Sequence, residues 1–185
     1  MQVHATALAG VLIFVPAPHY DDRGFFTRTF DAATALRHGL DPGGFLQDSQ
    51  SRSKMGVVRG LHGRSGSGEA KLVRCARGAV HDVLVDARPS SATFGQSEAY
   101  QLDDDLFWHL YVPPGFLHGF QALSEFADVC YRIDRMHDPT EDIAVRYDDP
   151  DLAIGWPLPV TAISARDAAA GSWQDLLNRT DADRV

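Results

Sequence analysis

The sequence predicts an all-β domain, a sandwich or barrel with a few short helices on its outside. Three observations lead there. The apolar runs are short and rich in Val, Ile, Phe and Tyr, residues that suit a pleated, half-buried surface. Gly, Pro, Asp and Ser interrupt them regularly, as turns between strands do. Only two stretches carry helix start and stop signals.

In chain order the strand candidates are GVLIFVPAP (10–18), VVRGLH (57–62), KLVRC (71–75), AVHDVLVDAR (79–88), FWHLYVPP (107–114), GFQAL (119–123) and DVCYRI (128–133). Each is too short for a core helix and is bounded by turn residues. The segment DAATALRHG (31–39) has Asp31 as a helix cap and Gly39 as a stop, and SARDAAAGSWQDLLNR (164–179) begins on a capping Ser164. Both are expected to flank the barrel. No repeat or low-complexity tract is present, and the polar residues 180–185 (TDADRV) are expected to form a loose tail. With 185 residues, 44% of them hydrophobic, one core and a single domain over 1–185 are expected.

Charge narrows the function. A net charge of −8 argues against a nucleic-acid surface, because phosphate backbones are bound through excess Lys and Arg. An anionic ligand would have to meet locally clustered arginines. The N-terminal residues lack a basic head followed by a long apolar core, and no run approaches the roughly 20 apolar residues that span a bilayer, so a cytoplasmic protein without membrane partners is expected. Cys75 and Cys130 sit in apolar runs without CxxC spacing and read as buried thiols rather than a disulfide or a nucleophile.

Strand parity places chemistry-bearing side chains together. Lys71, Val73 and Cys75 share one face of their run, as do Val129 and Tyr131, so a lysine and a tyrosine from different strands can enter one cavity. In VVRGLH strict alternation puts His62 and Arg59 on opposite faces, but Gly60 between them can support a bulge that turns both inward. The segment VPPGFLHGF carries PxGxxH (Pro113, Gly115, His118), the second half of the metal-binding pattern of cupin barrels. The first half, HxH, is missing. His62 is followed by Gly63 and Arg64, and a cation at the second ligand position would repel a divalent metal. A cupin-like jelly-roll barrel without a metal is the expectation.

Several ordered runs then resemble one family. DDRGFF (21–26), VVRGLH (57–62), AKLVRCARGAVHDVLVDAR (70–88), TFGQ (93–96), VPPGFLHGF (112–120), YDDPDLAIGWP (147–157) and SARD (164–167) are similar to those of the dTDP-4-dehydrorhamnose 3,5-epimerases, across residues 8–167. The resemblance implies a homodimeric isomerase without cofactor or metal, acting on a nucleotide-linked 4-keto-6-deoxyhexose in rhamnose or deoxysugar biosynthesis. The ketone acidifies the neighbouring C–H bonds, so a base can remove a proton and an acid return one from the opposite face. By the family pattern His62 is the base, Asp167 orients it, Tyr131 is the acid and Lys71 stabilises the enolate.

The same pattern assigns the substrate's anionic half to Arg23 and Arg59, with Gln47, His118 and Arg166 as further contacts. In the family the first strands cross to the partner subunit, so Arg23 is expected to serve the other protomer's site. The sequence departs from the family at Arg28, Ser49, Gly63 and His137, while Asp142 corresponds to the acidic residue that the family carries a few positions further on, and these positions are expected on the nucleotide side. The catalytic set is intact while the nucleotide-facing set is altered. The nucleotide (dTDP, CDP, UDP or GDP) and the carbon inverted (3, 5 or both) therefore stay open, as do a non-catalytic sugar-nucleotide binder and a 3,4-ketoisomerase.

Overall fold

The computed structural model describes residues 1–182, with side chains to residue 179. The strands are β1 (Gln2–Ala5), β2 (Leu12–Val15), β3 (His19–Asp21), β4 (Gly24–Phe26), β5 (Gln47–Lys54), β6 (Val58–Arg64), β7 (Lys71–Arg77), β8 (Ala79–Asp86), β9 (Ser97–Asp103), β10 (His109–Val112), β11 (Phe116–Ala122), β12 (Phe126–Ile133) and β13 (Asp142–Ala144). The helices are α1 (Ala32–Arg37), α2 (Ala165–Ala168) and α3 (Trp173–Ala182). A six-stranded sheet in the order β1-β2-β10-β7-β12-β5 faces a five-stranded sheet in the order β13-β6-β11-β8-β9, and β3 and β4 form a separate hairpin.

The main core fills the space between the sheets. Val73, Cys75, Leu110 and Val129 of the first sheet meet Val80, Leu84, Leu102 and Phe120 of the second. A second cluster, Leu61, Val85, Leu117, Val145 and Trp173, lies on the outer face of the five-stranded sheet beneath α3. A third joins α1 to the back of the six-stranded sheet through Phe14, Ala35, Leu40 and Leu72. Burial pushes the Cys75 thiol up to about 12, and both cysteines are unpaired, as the sequence suggested.

Two helix expectations meet different outcomes. Asp31 caps α1 by accepting from the Thr34 N–H at 2.8 Å. The single helix expected over 164–179 is two: Ser164 caps α2, the chain breaks around Gly171, and Ser172 with Asp175 starts α3 as a reciprocal capping pair. The Trp173 N–H donates to Asp149 at 2.8 Å, which fixes where α3 begins. The tail expected over 180–185 meets a helix that runs through Ala182, and 183–185 lie outside the described residues.

The sheet is irregular where β6 meets β11. His62 pairs with His118 and Arg59 with Phe120, so three steps on β6 span two on β11 and one residue is extra. Gly60 sits in that bulge with φ of 127°, and the Gly60–Leu61 peptide is cis. A Cβ on Gly60 would stand 2.5 Å from Gly119 Cα and 2.9 Å from the His118 carbonyl oxygen, both backbone atoms of β11. Gly60→Ala should therefore cost roughly 2–4 kcal/mol, read from urea denaturation, through the positive φ and the clash together. A cost under about 0.5 kcal/mol would mean that the bulge tolerates a side chain.

Candidate active site

The bulge decides which side chains reach the interior. With one extra residue between them, Arg59 and His62 both line a cavity of about 800 Å³ between the sheets. The β6–β11 register puts His62 directly beside His118. On the facing sheet, β7 and β12 pair Lys71 with Ile133 and Val73 with Tyr131, so Lys71 and Tyr131 rise from the same face two residues apart. Two histidines thus stand on one wall and a lysine and a tyrosine on the other. The rings of His118 and Tyr131 meet edge to face with centroids 6.2 Å apart.

Each histidine is held by a buried carboxylate. His62 Nε2 donates to Asp167 Oδ1 at 2.7 Å, which leaves Nδ1 as the ring's basic nitrogen. Asp167 is placed by the turn into α2: its own N–H donates to Ser164 Oγ at 3.0 Å, and its Oδ2 accepts from the Gly60 N–H at 3.4 Å. The cap of one helix and the bulge of one strand therefore set the orientation of a single ring. His118 Nε2 donates to Asp82 Oδ2 at 2.8 Å, and Asp82 is fully buried, its other oxygen without a hydrogen-bond partner among the described residues.

The opposite wall carries the hydroxyl and the ammonium. Burial pushes the Tyr131 phenol above its ordinary value, and the Ser51 hydroxyl 3.5 Å away only partly offsets that. The phenol therefore stays protonated through neutral pH. Lys71 Nζ lies 3.0 Å from Glu69 Oε1. Arg59 donates from Nε to Ser53 Oγ at 2.9 Å and from Nη2 to the Arg52 carbonyl at 3.3 Å, which holds the guanidinium at the edge of the cavity.

Of the residues expected from the sequence, His62, Lys71, Tyr131, Asp167, Gln47, Ser49, Arg59, His118, His137, Asp142 and Arg166 line this one cavity. Arg166 reaches it while bonded to Asp142 at 2.9 Å. Arg23 and Arg28 do not line it. Arg23 stands on the exposed β3–β4 hairpin, 89% exposed, and folds back onto Asp21. Arg28 is drawn to Asp31, the cap of α1, at 2.7 Å. Gly63 borders the cavity through its backbone: a Cβ there would meet the Phe116 carbonyl, Leu117 and Ile143 on the outer face of β6.

Sequence reasoning did not count Arg64, Glu69, Asp82 or Ser51 as site residues. Signals existed for two. Arg64 is two residues from His62 and so shares its face, and Asp82 is a carboxylate in the middle of an apolar strand that must find a partner. Among the described residues no three His, Cys, Asp or Glu side chains gather as metal ligands. The guanidinium of Arg64 occupies the face where a second histidine ligand would stand.

A two-sheet barrel with a histidine–aspartate pair on one wall and a protonated phenol on the other has the groups of a proton-transfer enzyme. The comparisons narrow that class. A family model described as dTDP-4-dehydrorhamnose 3,5-epimerase matches residues 5–175. The dTDP-4-dehydrorhamnose 3,5-epimerase of Escherichia coli is 42% identical over 159 residues, covering 85% of either chain. The dTDP-4-dehydrorhamnose 3-epimerase of Streptomyces niveus is 37% identical over 171 residues, covering 92% of this chain and 83% of the relative. A crystal structure of a Legionella pneumophila dTDP-6-deoxy-D-glucose-3,5-epimerase in complex with dTDP-4-keto-L-rhamnose superposes with a TM-score of 0.89 at 39% identity, covering 98% of this chain and 95% of that one. The chain belongs to the dTDP-4-dehydrorhamnose 3,5-epimerase family, a family of isomerases on a cupin-like jelly roll.

The His118–Asp82 pair yields a stability prediction. His118→Phe leaves a buried carboxyl without its partner and should cost roughly 3–5 kcal/mol in urea denaturation. Asp82→Asn/His118→Phe, which removes the charge as well, should recover much of that loss. Equal costs for the single and double variants would show that the carboxyl needs no partner.

Proposed function

We propose that the chain inverts carbons 3 and 5 of a dTDP-linked 4-keto-6-deoxyhexose, without a cofactor, by proton removal on one face of the sugar and proton return on the other. The observation that carries this reading is the placement of His62 with Asp167 on one sheet and Tyr131 with Lys71 on the facing sheet. His62 Nδ1 takes the proton next to the ketone. The electron pair moves onto the carbonyl oxygen, where the Lys71 ammonium meets the developing negative charge. Tyr131 then delivers its proton to the same carbon from the opposite side, and the ketone re-forms. Asp167 acts through His62: it fixes the tautomer with Nδ1 free and stabilises the imidazolium that forms.

The substrate class is supported by the Legionella complex with dTDP-4-keto-L-rhamnose, and the inversion of both carbons by the family description and the E. coli relative. Arg59 at the cavity edge would hold the diphosphate by its fork, and Gln47, Ser49, Arg166 and His137 would surround the rest of the substrate.

Arg23 and the exposed Tyr20, Phe25 and Phe26 of the β3–β4 hairpin support a homodimer in which the hairpin docks on a second copy and Arg23 completes the partner's cavity. Arg28, held at α1, has no place in this reading. The test is complementation. Arg23→Ala and His62→Ala, each inactive alone, should regain activity when co-expressed, because one of the two sites in the mixed dimer is then intact. No regain in a purified mixed dimer would place Arg23 outside the partner's site.

The reaction itself is read by incubating the protein with a dTDP-linked 4-keto-6-deoxyglucose in deuterated water. Deuterium should enter at carbons 3 and 5 of the inverted product. Asp167→Asn should slow this by about 100-fold or more through the wrong tautomer. Deuterium at carbon 3 alone would narrow the enzyme to a 3-epimerase, and none at either carbon would overturn the reading. Because the Tyr131 phenol is held above its usual value, its ionisation should produce no loss of rate below about pH 10.

A further inference from the structure

Arg64 follows His62 by two residues on β6, so its side chain leaves the same face of the strand and runs along the cavity wall. It is 5% exposed, and a guanidinium that deep needs a partner at each edge of its fork. Nε donates to Glu69 Oε2 at 2.6 Å, Nη1 to the Asp138 carbonyl at 2.9 Å, and Nη2 to His137 Nδ1 at 2.8 Å. Glu69 turns its other oxygen to Lys71 Nζ at 3.0 Å. Asp142 stands 3.8 Å from Nη2 and is also bonded to Arg166.

Two consequences follow from donor chemistry alone. Arginine only donates, so Nδ1 of His137 accepts and the ring proton sits on Nε2. His137 lines both the main cavity and the hollow beside it, and its Nδ1 is the nitrogen that Arg64 occupies. Glu69, shared between two cations, fixes the end of a flexible four-carbon stem that would otherwise sample several rotamers.

We propose that Arg64 is a positioning residue at both ends of the cavity. Through Glu69 it aims Lys71 at the reacting carbonyl oxygen, and through His137 it presents an Nε2–H donor to an acceptor oxygen of the nucleotide. The assignment rests on the reading of the cavity as a nucleotide-sugar site. One buried cation then couples the place where charge develops in the reaction to the place where the nucleotide is selected.

Three variants separate these effects. Glu69→Gln should lower kcat on the order of 100-fold with a smaller change in KM, since a misplaced Lys71 affects the transition state more than binding. His137→Phe should raise KM for the dTDP sugar more than it lowers kcat. Arg64→Met should do both, and ¹⁵N NMR of the histidine side chains should show His137 as the Nε2–H tautomer in the unaltered protein and as a mixture in this variant. A folded Arg64→Met with kcat and KM within twofold of the unaltered protein, or a His137 ring that is already a mixture, would overturn the proposal. If Arg64→Met does not fold, the other two variants decide: a reversed or absent split between kcat and KM refutes it. An unaltered protein without deuterium exchange would remove the epimerase reading, while the tautomer measurement still tests the contact of Arg64 with His137.

Discussion

The site depends on the close approach of β6 and β11 at two facing glycines. Gly60 and Gly119 lie so near each other that a Cβ on either would strike backbone of the other strand. That contact accommodates the extra residue in β6, and the extra residue turns both Arg59 and His62 toward the cavity. The same bulge gives the Gly60 N–H to Asp167, which then stands within 2.7 Å of His62. A regular strand would send either the arginine or the histidine to the opposite face. It would also leave the Asp167 carboxylate without one of its donors.

The cavity wall is a study in matched burial. Asp82, Asp167 and Glu69 are all nearly inaccessible, and each has a donor that makes burial tolerable: His118, His62, and the pair of Arg64 with Lys71. The net charge of −8 therefore lies largely elsewhere, and the cavity itself gathers cations and imidazoles. Such a lining suits a ligand with a diphosphate at one end and an enolate forming at the other. The hydrophobic core between the sheets, from Val73 and Val129 to Leu84 and Phe120, holds the two walls at the separation they need.

Much of this was legible before the structure. The apolar runs became β2, β6, β7, β8, β10, β11 and β12, because their inward faces are built of Val, Leu, Ile and Phe. The strand β5 (QDSQSRSK) escaped notice because its inward face, Gln47, Ser49 and Ser51, lines the cavity, and a polar interior erases the alternation that marks a strand. The hairpin β3–β4 escaped because both of its faces are exposed in one chain. Eleven of the expected site residues met in one cavity because parity and the family's ordered motifs both reflect the same register. For Asp82 the sequence shows the need of a partner but not that it is His118, which the pairing of β8 with β11 sets; Glu69 lies in the loop between β6 and β7, where strand parity does not reach.

The proposed reaction divides its labour between two walls, with proton removal on one and proton return on the other. Its most direct test is Tyr131→Phe in deuterated water, followed by NMR of the sugar carbons. Protons beside the ketone should still exchange for deuterium through His62, while the sugar keeps its original configuration. Full inversion at a rate near that of the unaltered protein would contradict it, because the acid would then have to come from another group.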